Sequence, residues 1–191
     1  MSKLKLDINV LKYIALASGK KDVRYYLNGI YFGDDGEGNL ILVGTDGHRL
    51  HLSVTTAKAP EKPFVINIED LKEILTIKSK TELEFGSVGD DEYRIGGRIV
   101  KCDYATKYPD YRRILLNETN SDKPLNNAMP FVDVNYLMDA SKGLKGLGLN
   151  HWYEAKILIR DGYDGLDCMQ LEYKGTKTVL MGVQVNKCKK D

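Results

Sequence analysis

Three stretches of the chain share one pattern of apolar and polar positions, and each predicts a short amphipathic helix. In each stretch an apolar residue precedes Asp or Asn, a β-branched residue follows, and a Leu comes later. Asp7, Asn67 and Asp133 stand where an N-cap belongs, because a side-chain oxygen there accepts a hydrogen bond from the first helical turn. The pattern therefore predicts helices that begin directly after these three residues.

Three runs rich in strand-forming residues follow each predicted helix, with Gly and Asp turns between them. Each part of the chain thus reads as strand, helix and three strands, which predicts a βαβββ unit repeated three times. The alternative is that any three amphipathic helices look alike, and the matching strand runs favour the repeat. The runs are 26–32, 40–45 and 50–54, then 82–85, 92–95 and 98–102, then 154–159, 167–173 and 177–183.

Composition allows one to two compact domains in the 191 residues, with a 42% hydrophobic fraction that is sufficient for a core. The polar, turn-rich segment 117–127 is typical of a linker between domains. The formal net charge of +1 argues against a strongly basic protein that coats DNA. It leaves DNA binding open, because opposite charges can be sorted onto different faces.

Cysteine usage indicates a reducing compartment. Cys102, Cys168 and Cys188 are odd in number and far apart, without the spacing of a disulfide framework or a zinc site. The first residues contain no apolar segment of a signal peptide, and no apolar run is long enough to cross a bilayer. We therefore expect a soluble cytoplasmic protein without a membrane partner.

The chain offers weak candidates for catalysis. His48 beside Asp46 suggests a general base or a metal ligand, but Asp-Gly is also a tight-turn signal, and a structural or peptide-contacting His48 is favoured. The segment 161–167 lacks the spacing of an EF-hand, so we expect a hairpin turn there. The Gly-rich segment 143–148 lacks the Lys-Ser/Thr of a phosphate-binding loop and is interpreted as a helix end and a loop. No enzyme, cofactor or metal is predicted.

Three ordered motifs carry a family resemblance: Asp22–Gly29, Thr45–Leu50 and Tyr108–Ile114. They resemble the middle domain of the bacterial sliding clamp, the beta subunit of DNA polymerase III. The resemblance implies an α+β sliding-clamp fold of βαβββ units, with two units per domain, antiparallel sheets outside and helices inside. Three units make about one and a half clamp domains. Residues 1–117 would form a complete domain resembling the second clamp domain, and 118–191 a half domain resembling the second half of the third.

The resemblance also implies a pocket that binds short linear motifs with Leu and Phe anchors. The sequence 179–185 resembles the C-terminus of the family, with Gly182 in place of Pro and Gln184 in place of Arg. The alternative is that these residues form the core between units. The predicted pocket residues are Leu27, Thr45, Gly47, His48, Arg49, Leu50, Pro109, Arg113, Ile114, Asp133, Tyr136, Leu166, Val179, Leu180, Met181 and Gly182.

A second predicted surface contacts DNA without reading its sequence, because sliding requires attraction to phosphates and no base code. Lysines on or beside the inner helices provide positive charge. For each lysine alone a solvated helix face is the favoured interpretation, and the set on three equivalent helices is what indicates DNA contact. Arg24, Tyr25 and Tyr26 match a family loop that touches DNA. The predicted set is Lys12, Lys20, Lys21, Arg24, Tyr25, Tyr26, Lys72, Lys78, Lys80, Lys142 and Lys145.

We interpret the chain as a sliding clamp that encircles duplex DNA as a homo-oligomeric ring and binds a polymerase and other motif-bearing proteins, with a clamp loader as a further candidate partner. Four copies of three units would supply the twelve units of the family's ring, so a tetramer is favoured over a trimer. One alternative is a clamp-like module that never encircles DNA and acts as a decoy for clamp-binding peptides. Another, a hydrolase or nuclease that uses His48 and Asp46, is disfavoured.

Overall fold

The computed structural model describes residues 4–78, 82–116, 132–151, 154–160 and 168–182. Within these ranges the chain forms α-helices, antiparallel strands and two short 3-10 helices, Tyr25–Leu27 and Tyr111–Ile114. The elements are β1 Leu4–Asp7, α1 Ile8–Ala15, β2 Gly29–Asp34, β3 Asn39–Thr45, β4 Arg49–Lys58, β5 Phe64–Asn67, α2 Lys72–Leu75, β6 Glu82–Ser87, β7 Glu92–Ile95, β8 Arg98–Lys101, α3 Val134–Gly146, β9 Lys156–Arg160, β10 Cys168–Tyr173 and β11 Thr176–Met181.

Two of the three helices begin where the sequence predicts. Asp7 caps α1 by accepting a 2.8 Å hydrogen bond from the Asn9 amide, and Asp133 caps α3 through the Asn135 amide at 2.7 Å. The predicted start of α2 is wrong, because the Asn67 side chain accepts from the Glu69 amide in a turn and the helix begins only at Lys72. A polar cap residue can hold a turn as well as a helix.

The strand predictions differ from the structure at several points, among them the run 154–159, whose strand begins only at Lys156. Tyr26 and Leu27 belong to a 3-10 helix, and the strand of the predicted run 26–32 begins only at Gly29. Val132, which precedes α3, is not in a strand. The linker 117–127 and the predicted hairpin turn 161–167 lie outside the described residues.

The strands form two antiparallel sheets with the orders β1-β6-β7-β8 and β5-β2-β3-β4-β11-β10-β9. The first two units exchange strands: β1 pairs with β6, the first strand after α2, and β5 pairs with β2, the first strand after α1. The third unit joins the first edge to edge, because β11 pairs with β4. The longer sheet therefore crosses the predicted domain boundary.

The main core fills the space between the helices and the two sheets. Phe32, Phe64, Phe85 and Tyr93 form a continuous aromatic cluster there. Helix α1 contacts both α2 and α3. A smaller core covers the other face of the long sheet, under the segment 108–116. No helix in the described ranges is long and apolar enough to cross a lipid bilayer.

Candidate functional site

A pocket of about 310 Å³ lies where the first unit, the end of the second unit and strand β11 of the third meet. Its lining combines residues from all three motifs of the sequence. Eight predicted pocket residues line it: Leu27, Thr45, Gly47, Arg49, Leu50, Pro109, Ile114 and Met181. The pocket is thus one site assembled from distant parts of the chain.

The turn between β3 and β4 forms one wall and is held by its own side chains. The Thr45 hydroxyl donates to the Arg49 carbonyl at 2.7 Å and accepts from the Gly47 amide at 3.1 Å. One Asp46 carboxylate oxygen accepts from the amides of His48 and Arg49. Gly47 has a φ of +90°, a conformation that residues with a side chain rarely adopt, so glycine is favoured at this position.

Arg49 connects this wall to helix α3. Its guanidinium forms ion pairs with Asp46 at 2.9 Å and with Asp139 of α3 at 2.6 Å. It also lies 4.3 Å from the centre of the Tyr136 ring, within the range of a cation–π interaction. Because the Arg49 side chain is only 11% exposed, these contacts are shielded from water and fix the pocket wall relative to α3.

The segment before β2 forms a second, polar wall. Arg24 makes an ion pair with Asp22 at 2.8 Å and donates to the Asp46 carbonyl at 3.0 Å. The Arg24 side-chain hydrogen bond holds the pKa of Asp22 at about 2. Arg24 and Tyr26 line the pocket, although the sequence assigned them to DNA. Their neighbour Tyr25 is 71% exposed.

The end of the second unit is attached to the sheet by specific bonds. The Tyr108 hydroxyl donates to the Val43 carbonyl at 3.2 Å, and its ring stacks on Tyr31. Gln170 of β10 is fully buried and pairs with both backbone groups of Leu116, at 2.8 and 2.9 Å. Buried amides bonded in this way hold the pocket segment against the third unit.

The remaining predicted pocket residues lie behind or beside the pocket. Val179 and Leu180 are fully buried in the sheet, Asp133 caps α3, and Tyr136 packs against Arg49. His48 and Arg113 are exposed next to the pocket and do not line it, nor does Gly182. Leu166 lies outside the described residues. The structure adds Asp110 and Tyr111 to the pocket lining. The sequence could have indicated both, because they belong to the Tyr108–Ile114 motif.

The catalytic interpretation of Asp46 and His48 finds no support in the geometry. Both Asp46 carboxylate oxygens are engaged by the turn and by Arg49. In the described part of the chain, no group of three or more His, Cys, Asp or Glu side chains is arranged to hold a metal ion. A wider groove of about 970 Å³ lies between the β4–β5 connection and the β6–β7 hairpin, away from every predicted site residue.

Some of the predicted DNA-contacting residues form hydrogen bonds or ion pairs within the chain, and most are exposed to solvent. Lys12 donates to the Ile77 carbonyl, and Lys72 forms an exposed 3.6 Å ion pair with Glu69. Lys80 lies outside the described residues. Arg24 and Lys72 are exposed, and the other exposed members are Lys20, Lys21, Tyr25, Lys78, Lys142 and Lys145.

Comparison with known proteins extends the resemblance in sequence. Residues 3–88 match the family described as DNA polymerase III beta subunit, central domain. The beta sliding clamp of Buchnera aphidicola is 32% identical over 130 residues, which cover 63% of this chain and 34% of that protein. The beta sliding clamp of Borreliella burgdorferi is 27% identical over 117 residues, covering 57% of this chain and 29% of that protein. The chain thus spans about a third of the length of these curated relatives.

Solved structures extend the similarity in fold over nearly the whole chain. DNA polymerase III subunit beta from Borrelia burgdorferi matches with a TM-score of 0.72 and 14% identity, covering 97% of this chain and 65% of that one. The Pseudomonas aeruginosa subunit matches with a TM-score of 0.66 and 17% identity, covering 96% and 67%. These matches confirm the predicted α+β sliding-clamp fold.

The relatives and solved structures described above are named as beta sliding clamps or as the beta subunit of DNA polymerase III. This agrees with the prediction that the chain is not an enzyme. The chain is thus similar in sequence to bacterial beta sliding clamps over part of its length and shares their fold over nearly all of it.

Proposed function

We propose that the chain is a subunit of a DNA sliding clamp, in which several copies encircle duplex DNA and hold replication proteins through the pocket. The observation that carries the proposal is the pocket itself. It is assembled from all three motif segments in a chain related to beta sliding clamps. The role is topological, so no catalytic group is required.

The pocket suits a short peptide with large apolar anchors. Leu27, Leu50, Ile114 and Met181 supply an apolar lining, and Arg24 and Arg49 stand at its edge. A buried Leu or Phe of a partner contributes roughly 1.5–3 kcal/mol of binding free energy. A flexible peptide loses conformational entropy when it binds, so the affinity is modest and partners exchange.

Met181 is the best position for testing the peptide site, because it lines the pocket and is only partly buried. We expect Met181→Ala to weaken binding of a fluorescent peptide with adjacent Leu and Phe anchors about 5- to 30-fold, which corresponds to ~1–2 kcal/mol of lost contact. Fluorescence polarisation measures this change. Met138→Ala is the matched control, since Met138 is 65% exposed and lies outside the pocket. Equal affinities for the two variants would contradict the site.

Encirclement is tested by trapping the protein on a closed circle. The protein is mixed with a linear plasmid, onto whose free ends a ring can thread without a loader, and ligase then closes the DNA. We expect protein to remain on the circle through gel filtration at a salt concentration that removes non-topological binding, and to leave after a restriction enzyme cuts the circle. Equal retention before and after cutting would overturn the proposed clamp function.

A second candidate function is a clamp-like module that binds the same peptides as a decoy and never surrounds DNA. One observation favours it: a single copy supplies the whole lining of the pocket, so motif binding requires no ring. The two candidates differ in the trapping experiment. A decoy binds the peptide and is not retained on the circle.

Self-association through the third unit is supported by a comparison of equivalent helix positions. Ile8 and Val134 each follow an Asp N-cap, yet Ile8 is fully buried and Val134 is 63% exposed. In the first unit, α1 contacts α2 of the second unit, and Ile8 lies in the core that both units share. We infer that the third unit of another copy covers α3, which favours four copies with twelve units, and a trimer is the runner-up. Multi-angle light scattering distinguishes these masses, and a stable monomer would reject both.

A further inference from the structure

Each unit ends in a strand that closes its three-stranded run: β4 in the first unit, β8 in the second and β11 in the third. Two of these last strands pair with each other. β4 and β11 are antiparallel neighbours, with Leu50 opposite Val179. β8 pairs with β7 on one side and is the terminal strand of its sheet among the described residues. The repeat therefore indicates that β8 takes the last strand of another unit.

The side chains of β4 and β8 match position by position. Each strand follows a turn that contains glycine and begins with an arginine, Arg49 or Arg98. The third residues, His51 and Val100, are buried on the helix side of their sheets, against Tyr13 and in the main core. The second residues lie on the opposite face, where Leu50 is fully buried and Ile99 is 56% exposed.

We propose that β8 pairs in antiparallel with β8 of a second copy, with Ile99 opposite its own counterpart on a two-fold axis. The inference rests on the ring proposed above and specifies how that ring closes. In every copy β4 and β11 already pair with each other. Among the strands that end a unit, only β8 of another copy is therefore left to pair with β8. An antiparallel pair of identical strands satisfies two-fold symmetry, because the same patch faces itself.

The register follows from the faces of the strand. Arg98 and Val100 face the helices, since Arg98 forms an ion pair with Glu73 of α2 and Val100 lies in the core. Residues directly opposite each other in antiparallel strands share a face of the sheet. A pair centred on Ile99 therefore places an exposed apolar residue against its own copy. A pair centred on Val100 would instead place Ile99 against Lys101 and leave it without an apolar partner.

The basic charges on β8 are compatible with this pairing. Arg98 is compensated by Glu73, and Lys101 stands opposite Glu92 on β7. In the register centred on Ile99, Arg98 lies opposite Val100 and Lys101 lies opposite Gly97 of the second copy, so no like charges face each other directly. The pairing also removes an open sheet edge, which is otherwise a site of uncontrolled association.

Two-fold pairing at β8 determines the symmetry of the ring. A head-to-tail trimer needs one surface that fits a different surface of the next copy. The β8 interface instead joins identical surfaces, and the third-unit interface does the same. A ring in which these two interfaces alternate contains an even number of copies. Of the tetramer and the trimer considered above, the proposed pairing therefore permits only the tetramer.

A cysteine at the proposed axis tests the pairing directly in the full-length chain. Directly opposed antiparallel residues have Cα separations of about 4.5–5.5 Å, within the range of a disulfide. We expect Ile99→Cys to form a covalent dimer on mild oxidation, seen on a non-reducing gel. Arg94→Cys is the matched control, since Arg94 lies directly opposite Ile99 on β7. Its counterpart is about three strand spacings away, ~14 Å, and does not cross-link. The unmodified chain controls for native cysteines.

A second variant reads out the assembly without a cross-link. We expect Ile99→Lys to halve the particle mass in light scattering, because two lysines on the axis repel each other. Circular dichroism confirms that the fold is retained, and Val88→Lys, an exposed apolar position directly after β6, leaves the mass unchanged. No covalent dimer of Ile99→Cys, or an unchanged mass of Ile99→Lys, would overturn the pairing. Retention on circular DNA without the cross-link overturns β8 pairing alone, whereas a cross-link without retention overturns the clamp function.

Discussion

His51 shows at the residue scale how the fold controls protonation. The side chain is fully buried, its ring stacks on Tyr13 with centroids 4.5 Å apart, and Nδ1 donates to the Tyr13 carbonyl at 2.6 Å. Nε2 is unprotonated in this neutral tautomer and has no hydrogen-bond partner among the described residues. The pKa of His51 is lowered to about 4, chiefly by burial and to a smaller extent by the nearby Arg49, whereas the hydrogen bond to Tyr13 and the carboxylates of Asp139 and Asp46 act in the opposite direction.

This buried histidine predicts a loss of stability in acid. The pKa of His51 rises from about 4 in the folded chain to its ordinary 6.5 on unfolding, so the unfolded chain binds one more proton between these values. The free energy of unfolding therefore falls as the pH drops from 6.5 to 4, by up to about 3 kcal/mol from this group. Urea denaturation at several pH values measures the slope.

His51→Phe removes the titrating group and is expected to flatten that slope. The variant also loses the hydrogen bond to Tyr13, so its absolute stability is lower at every pH. His48→Gln is the control, because it removes an exposed histidine from the turn that precedes β4, three residues before His51. If His51→Phe keeps the slope of the unmodified chain, another group is responsible.

At the scale of elements, α1 is coupled to two parts of the third unit. Gly143 of α3 lies against Tyr13 and Leu16 of α1. The Tyr13 hydroxyl in turn shares a 2.7 Å hydrogen bond with the buried Thr178 of β11. A single tyrosine thus joins the first helix to both layers of the third unit.

Gly143→Ala tests this helix contact. A Cβ at Gly143 would lie 2.7 Å from a Tyr13 ring carbon and 3.1 Å from a Leu16 methyl, so α1 and α3 must separate. We expect a loss of about 1–3 kcal/mol in the free energy of unfolding, even though Ala favours helices over Gly. Gly146→Ala has open space within the same helix and is expected to be neutral or stabilising. Equal effects in thermal or chemical denaturation would contradict close packing at Gly143.

The distribution of charge matters at the scale of the whole molecule. A net charge of +1 gives no general attraction to DNA, so binding depends on where the basic residues lie. Lys142 and Lys145 are both exposed on α3. Lys58 and Lys62 are exposed beside the wider groove, away from the predicted DNA surface.

These two pairs allow a matched comparison. We expect Lys142→Ala with Lys145→Ala to weaken binding to a short duplex regardless of its sequence. The slope of log affinity against log salt should fall by about 2, because each phosphate contact contributes roughly 0.9. Lys58→Ala with Lys62→Ala should leave the slope unchanged. Fluorescence anisotropy at several salt concentrations measures both, and equal slopes for the two pairs would remove α3 from the DNA surface.

Local sequence patterns predicted most elements because the signals are short-range. Asp7 and Asp133 satisfy the first amides of their helices, and this requires only nearby residues. The corresponding prediction at Asn67 was wrong. Its side chain accepts the same kind of amide hydrogen bond, from Glu69, but in a turn and not at the start of a helix. The motif resemblance brought together most of the pocket lining, whereas Val179 and Leu180 proved to be buried in the sheet.

The sequence by itself determined the repeated units, the caps of α1 and α3 and the residues of the pocket motifs, since each depends on neighbours along the chain or on a recognisable pattern. Only the tertiary structure decided which strands pair. The exchange of β1 and β5, and the junction of β4 with β11, depend on contacts between residues far apart in the chain. Strand periodicity reports which face of a strand is buried and carries no information about the partner strand. That partner choice is what assembles the pocket and leaves β8 at the edge of its sheet.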